Sequence, residues 1–178
     1  MTVLLGARTR LRPWRADDAE AIFRACRDPE TQRFTTVPSP YRREDADWFL
    51  AHHLDDVEAA GGASWCVEGL DAPGAVAGSM TLLGVCEGVG EIGYWCAPWA
   101  RGRGWTVDAL RVLASWSFVE RGVERIELVV ETANVASRAV ARRAGFVEHH
   151  AEPARRLGDG SVRDVIVHVL ERVTGEAS

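Results

Sequence analysis

The sequence predicts a mixed α/β domain of the α+β type. Its core is a mostly antiparallel sheet of about six or seven strands, splayed at one cleft and flanked by about four helices. Three observations lead there. Between Ala63 and Cys96, β-type runs alternate with short turn sequences, which makes an antiparallel meander. From Glu91 to Ala144 the order is strand, glycine-containing turn, helix, strand, helix, so one parallel crossover sits among hairpins. The chain then closes on two strand-like runs around Gly158-Asp159-Gly160, a hairpin turn signal.

The elements follow in order. Arg8 to Trp14 alternates as a strand, and Pro13 marks its end or a sheet edge. Asp17 and Glu20 open a helix that carries Ala19, Ile22, Phe23 and Cys26 at helical intervals, and Asp28-Pro29 stops it. Gln32 to Arg42 is expected to be loop. Glu44 to Ala60 is helical again, with Trp48, Leu50, Ala51, Leu54 and Val57 as its apolar side, until Gly61-Gly62 ends it. Strands are expected over Ser64 to Leu70, Val76 to Val85 and Glu91 to Cys96. A helix from Thr106 to about Glu120 presents Val107, Leu110, Leu113, Ala114 and Phe118 on one face. Arg125 to Glu131 is an apolar-centred strand, Asn134 to Ala144 a short helix closed by Gly145, and Val147 to Leu157 and Val162 to Glu171 the final pair.

Composition narrows the function classes. With 178 residues and 47% hydrophobic content, one domain over 1–172 with a tail over 173–178 is expected. The 21 basic and 26 acidic side chains give a net charge of −5 without a basic block on one face, which argues against nucleic-acid binding. Cys26, Cys66, Cys86 and Cys96 show no CxxC spacing, and the histidines fall into no ligand spacing with them, so reduced thiols and no metal are expected. No apolar run is long enough for a signal peptide or a membrane span, which points to a cytoplasmic protein.

The stretch that carries chemistry is Glu91-Ile-Gly-Tyr-Trp-Cys-Ala-Pro-Trp-Ala-Arg-Gly-Arg-Gly-Trp-Thr106. Gly102 and Gly104 let the backbone turn several N–H groups into one hollow, and the following helix adds unpaired N–H groups and its positive dipole end. That makes an anion cradle, with Arg101 and Arg103 adding charge. If the strand at 91–96 and the strand at 125–131 lie parallel and diverge, a cleft opens between them for a long phosphate-bearing molecule.

The segments Glu91-Ile-Gly-Tyr-Trp, Arg101-Gly-Arg-Gly-Trp-Thr and Asn134-Val-Ala-Ser through Ala144-Gly-Phe, in that order and spacing, resemble the GNAT acyltransferase superfamily. Within it they are similar to the RimJ/RimL branch of ribosomal-protein alanine acetyltransferases. The matching segments cover about a third of the chain, and the opening strand and closing hairpin also fit. The resemblance implies acetyl-CoA or another acyl-CoA as co-substrate. Its pyrophosphate would rest on the backbone amides of Arg101, Gly102, Arg103, Gly104, Trp105 and Thr106, and its pantetheine would pair like an added strand near Trp95 and Cys96. The loop departs from the family pattern in having Trp99 at its first place, where glutamine or arginine is usual.

Transfer to an amine needs a proton acceptor and a fixed N–H donor for the developing oxyanion. Glu91 is the candidate acceptor, because partial burial in an apolar strand would raise its pKa. The alternative is an outward-facing carboxylate paired with an arginine; Glu68 and Glu87 are competitors near the same sheet. Asn134, Ser137, Arg138 and Ala141 fall along one helical stripe. The tyrosine that protonates the leaving thiolate in much of the superfamily would match Ala141, so Ser137, or a water it holds, is the expected replacement. Asn134 and Arg138 are expected to bind the co-substrate, with Asn134 open also to a helix N-cap role. Arg142 and Arg143 either reach phosphate or solvate the helix. Cys96 is a possible nucleophile, set aside because no histidine is placed to activate it. Of the seven tryptophans most are expected in the core, with Trp48 and Trp116 accounted for by spacing.

The expected activity is therefore N-acetyl transfer from acetyl-CoA directly to a primary amine, either a protein N-terminus or a small molecule, by a monomer or homodimer. A non-catalytic acyl-CoA sensor, a transferase of a larger acyl group such as succinyl, and a structural domain that keeps only the fold stand as alternatives.

Overall fold

A computed structural model describes residues 2–172, so the expected tail at 173–178 lies outside the described residues. The strands are β1 (Leu4–Leu5), β2 (Thr9–Arg12), β3 (Ala63–Gly69), β4 (Gly78–Cys86), β5 (Val89–Cys96), β6 (Arg125–Glu131), β7 (Val147–Arg156) and β8 (Val162–Glu171). The helices are α1 (Ala19–Cys26), α2 (Pro29–Phe34), α3 (Arg43–Trp48), α4 (Leu54–Ala59), α5 (Trp105–Glu120) and α6 (Val135–Ala144), with a π-turn over Phe49–His53 that joins α3 to α4.

One eight-stranded sheet runs in the order β1-β2-β3-β4-β5-β6-β8-β7, antiparallel throughout except between β5 and β6. The extra strand relative to expectation is the two-residue β1, too short to leave an alternation signal. Asp28-Pro29, expected to stop a helix, also starts one. Asp28 is the N-cap of α2, its carboxylate accepting from Thr31 N at 3.0 Å, and Pro29 fills the first helical position, where a missing N–H costs nothing. Part of the expected loop at 32–42 is therefore helix.

The two faces of the sheet are covered differently. Odd residues of β3 meet α5, where Trp65 packs edge-on against Trp116 at 4.7 Å. Even residues meet the helices before β3: Ser64 accepts from Trp14 Nε1 at 3.2 Å and bonds Thr81 at 2.7 Å. Leu110 and Leu113 of α5 are fully buried, and truncating either to alanine should cost about 2–5 kcal/mol. On the α3–α4 side the core face runs through Ala46, Phe49, Leu50 and Val57. Trp48, two residues past buried Ala46, lies off the core face and is half exposed, lining the cleft rather than packed as its apolar character suggested.

Two features fix the start of α5. Trp105 lies so close under β3 that a Cβ on Gly69 would sit 2.2 Å from its ring. Asp108, in the first turn, accepts from Thr9 Oγ1 at 2.6 Å, Arg8 N at 3.0 Å and Ala7 N at 3.2 Å, so it is spent on the β1–β2 turn.

Candidate active site

The parallel ladder between β5 and β6 ends at Glu91↔Glu127. Beyond it, β5 stays with β4 as far as Gly78↔Cys96, and β6 stays with β8 as far as Glu131↔Val165, so the two central strands separate. A cleft of about 870 Å³ opens there. Ala97 N donates to Ala77 O at 2.9 Å, on the β4 side. Alternation along β5 then turns the N–H and C=O groups of Tyr94 and Cys96 toward the gap, beyond the last ladder pair. An exposed strand edge of this kind is complementary to a chain carrying amide groups.

The wide end of the gap is the glycine turn. Gly102 and Gly104 have φ of +76° and +75°, a conformation that disfavours a side chain, and Gly104 caps α5 without any side-chain partner for the first helical N–H groups. The hollow suits a phosphate group. Its charges differ from expectation. Arg101 is bound by Asp28 and Thr31 of α2, so its guanidinium braces the turn. Arg103 lies over the Trp105 ring at 4.8 Å, and Trp105 itself is buried. Arg8 reaches the glycines from the β1–β2 turn: a Cβ on Gly104 would be 3.0 Å from its Nη1. Trp99, at the position where the family pattern differs, donates to Val76 O at 2.8 Å and carries the Arg24 guanidinium on its ring, which ties the turn to the β3–β4 connection.

At the narrow end stands Glu91. Alternation places it with Gly93 and Trp95 on the face of α1–α4, where Trp95 lies 6.2 Å from Trp14 and Trp14 meets Phe49 edge-on at 5.3 Å. The Glu91 side chain is 42% exposed and its Oε2 lies 3.7 Å from Arg155 Nη2. Burial pushes its carboxyl above the ordinary range; Arg155 opposes the shift, and Glu127 and Glu152 reinforce it. Glu91 is thus partly buried and also has an arginine neighbour, one feature from each sequence reading. Glu68 is excluded as a competitor. Burial raises its pKa, but hydrogen bonds from Arg12 Nε at 2.5 Å and from Arg10 more than offset that, and its carboxyl ends below the usual range.

The stripe expected on α6 divides. Asn134 and Ser137 line the cleft. Asn134 Oδ1 caps the helix by accepting from Ser137 N at 3.0 Å, which leaves its Nδ2 donors free. Arg138 turns away to Glu148, with Nη2 at 2.9 Å from Oε1, and Ala141 is fully buried, so neither faces the cleft. Arg142 also meets Glu148, at 3.5 Å, and Arg143 is exposed while its carbonyl accepts from Arg111. Cys96 lines the gap; burial pushes its thiol up, and its Sγ lies 3.6 Å from Ala97 O, so it is no thiolate at neutral pH.

Sequence reasoning gave no role to Tyr94 or Arg155. Tyr94 stood inside the quoted motif, and its alternation with Glu91 was the signal that it points the other way. Arg155 reaches the site through the irregular end of β7, where the register shifts between Glu152 and Arg155, a tertiary event without a local signature.

A glycine-turn anion hollow, an unpaired strand edge and a carboxylate with raised pKa along one gap define an acyltransferase-type cleft. Residues 8–147 match the acetyltransferase (GNAT) domain model, and the chain belongs to that family. It is an acetyltransferase of the GNAT class. A Bacillus subtilis protein, YdaF, whose name proposes ribosomal N-acetyltransferase activity, is 33% identical over 143 residues, covering 79% of this chain and 69% of that protein. Mycobacterium smegmatis RimJ, solved with CoA-disulfide, superposes with a TM-score of 0.82 at 22% identity over 96% of this chain and 87% of its own. RimL, a ribosomal L7/L12 alpha-N-protein acetyltransferase solved with coenzyme A, gives 0.81 at 17% identity over 96% and 98%. At these identities the two structures speak to the fold. Among the described residues no helix is long and apolar enough to cross a membrane.

Proposed function

We propose that the chain transfers an acetyl group from acetyl-CoA directly to a primary amine, with a peptide N-terminus as the favoured acceptor. The supporting observation is the position of Glu91. It sits where the β5–β6 ladder ends, and burial raises its pKa above the ordinary carboxylate range, the direction a proton acceptor needs. The fit of an acyl-CoA rests on the hollow at Gly102–Thr106 and on the unpaired edge at Tyr94 and Cys96. Gly102, Gly104, Trp105 and Thr106 would hold the pyrophosphate through backbone N–H groups, and Asn134 Nδ2 would donate to a pantetheine carbonyl.

When bound, the thioester supplies an activated acyl group. Glu91 accepts the proton that the amine loses on attack, directly or through one water. A backbone N–H on the gap edge of β5 donates to the acyl oxygen as charge develops. Ser137, which lines the opposite wall, would donate to sulfur. Cys96 stays protonated and packed. The names of the relatives favour a protein N-terminus over a small amine, and the aromatic wall of Trp14, Phe49 and Trp95 offers apolar surface to the residue carrying the amine.

Calorimetry with CoA, followed by acetyl-CoA turnover on N-terminal peptides and small amines with thiol release as readout, tests this. Tight CoA binding and faster turnover on peptides are expected. CoA binding without turnover on any amine would leave a sensor, and no CoA binding would leave a domain that keeps only the fold. Acyl-enzyme trapped on Cys96 in a quenched reaction would replace direct transfer with a two-step route.

A further inference from the structure

Tyr94 Oη and Ser137 Oγ lie 2.7 Å apart across the gap, joining β5 to α6. The pair is the side-chain link between the two walls at this depth of the cleft, and both residues line it. Ser137 Oγ has no other hydrogen-bond partner among the described residues. Its backbone N–H is spent on Asn134 Oδ1. Tyr94 Oη likewise has only Ser137.

We propose that Tyr94 is a positioning residue for the leaving group: its phenol donates to Ser137 Oγ, which turns the serine's own O–H toward the co-substrate sulfur. This rests on the acyl-transfer reading above.

The direction of the bond follows from acidity. A phenol is a stronger acid than an alkanol and is the better donor of the two. Burial raises the Tyr94 phenol to about 12, with the bond to Ser137 opposing that shift, so it remains protonated across the working pH range. With one lone pair of Ser137 Oγ occupied by the phenol proton, the serine hydrogen points away from Tyr94 and into the gap. In the transfer step the amine nitrogen forms its bond to the acyl carbon and the carbon–sulfur bond breaks. The electron pair leaves on sulfur as a thiolate, and the nitrogen's proton passes to Glu91. Ser137 donates a hydrogen bond to the departing sulfur, and no proton leaves Tyr94. After release the thiolate takes up a proton from solvent, and the protonated Glu91 gives its proton up to solvent, so the carboxylate is restored and no net proton is lost. A thiol with a pKa of about 8.5 needs only this hydrogen bond rather than full protonation. The buried Ala141 is then no vacancy in the machinery, because the donor stands one turn earlier on α6 and is steered from the facing strand.

The test uses the whole chain as Tyr94→Phe, Ser137→Ala and the double variant. Phenylalanine keeps the ring and removes only the hydroxyl. Tyr94→Phe should lower kcat about tenfold, the worth of one hydrogen bond of this kind. KM for acetyl-CoA, the calorimetric Kd for CoA and the thermal midpoint should stay near wild type. Ser137→Ala should lower kcat at least as much, and the double variant should be no slower than Ser137→Ala, since Tyr94 acts through Ser137. A second readout needs no turnover. In the protein without co-substrate, a tyrosine hydroxyl proton resonance absent from Tyr94→Phe should move in Ser137→Ala, and the chain's two tyrosines make the assignment direct.

A Tyr94→Phe kcat within twofold of wild type would overturn the proposal. So would losses that multiply in the double variant, or a CoA affinity that falls together with kcat. Wild-type protein that turns over no amine would sink the underlying reading instead, and that outcome is visible before any variant is made.

Discussion

Arg155 Nη2 stands 3.7 Å from Glu91 Oε2, so the outermost strand of the sheet, β7, reaches back to the carboxylate at the sheet's centre. The register shift between Glu152 and Arg155 makes this possible by re-aiming the end of the strand. Burial drives the Glu91 pKa up and Arg155 restrains it, and the balance decides at what pH the carboxylate is ionised.

Glu91→Gln should lower the transfer rate by about 10² to 10⁴-fold, the range of general-base catalysis, and leave CoA affinity unchanged. The amide keeps the shape of the side chain and cannot accept the proton. Steady-state kinetics beside CoA calorimetry measures the two effects separately; equal rates for variant and wild type across pH would remove Glu91 from the mechanism.

Arg155→Met should move the acidic limb of the kcat/KM profile to higher pH. The guanidinium favours the charged carboxylate, so removing it raises the Glu91 pKa further, and more alkali is needed to free the base. A limb that stays put or moves to lower pH would separate that limb from Glu91.

Gly104→Ala should weaken CoA binding more than Gly102→Ala. Both positions have positive φ, and each carries a backbone cost of about 1–2 kcal/mol for a residue with a Cβ. At Gly104 the added Cβ also meets Arg8 at 3.0 Å, while at Gly102 it meets nothing within 4 Å. Calorimetric Kd values for CoA decide the order, and equal losses would show that contact with Arg8 does not matter.

Arg12→Met should cost about 3–5 kcal/mol, since it leaves Asp18 and Glu68 buried without their shared cation. Arg12 bonds Asp18 Oδ1 and Oδ2 at 2.7 Å each and Glu68 Oε1 at 2.5 Å, and all three side chains are almost fully buried. Because the Glu68 pKa ends below its unfolded value, its contribution is fully present above the unfolded carboxylate range and is lost as pH falls through the lower, folded pKa. Urea midpoints from neutral to acid pH should fall in wild type and fall less in Glu68→Gln.

The sequence by itself determined the order of elements, the meander at 63–96, the crossover at 91–144, the glycine turn and the family, because alternation, helical spacing and turn chemistry are local. It also singled out Glu91 and Ser137, both of which line the cleft. It misread Asp28-Pro29 as a stop alone, because a pair that ends one helix and caps the next has the same local signature in both roles. The tertiary structure alone decided which way each side chain on those elements faces. Arg138 left the cleft for Glu148, Arg101 became a brace held by Asp28, and Arg8 became the cation beside the glycines. Arg155 and Tyr94 gained partners from distant strands and helices for the same reason. Periodicity fixes a residue's place on its own element, whereas these contacts depend on where a strand bulges, where two strands part and which element packs opposite.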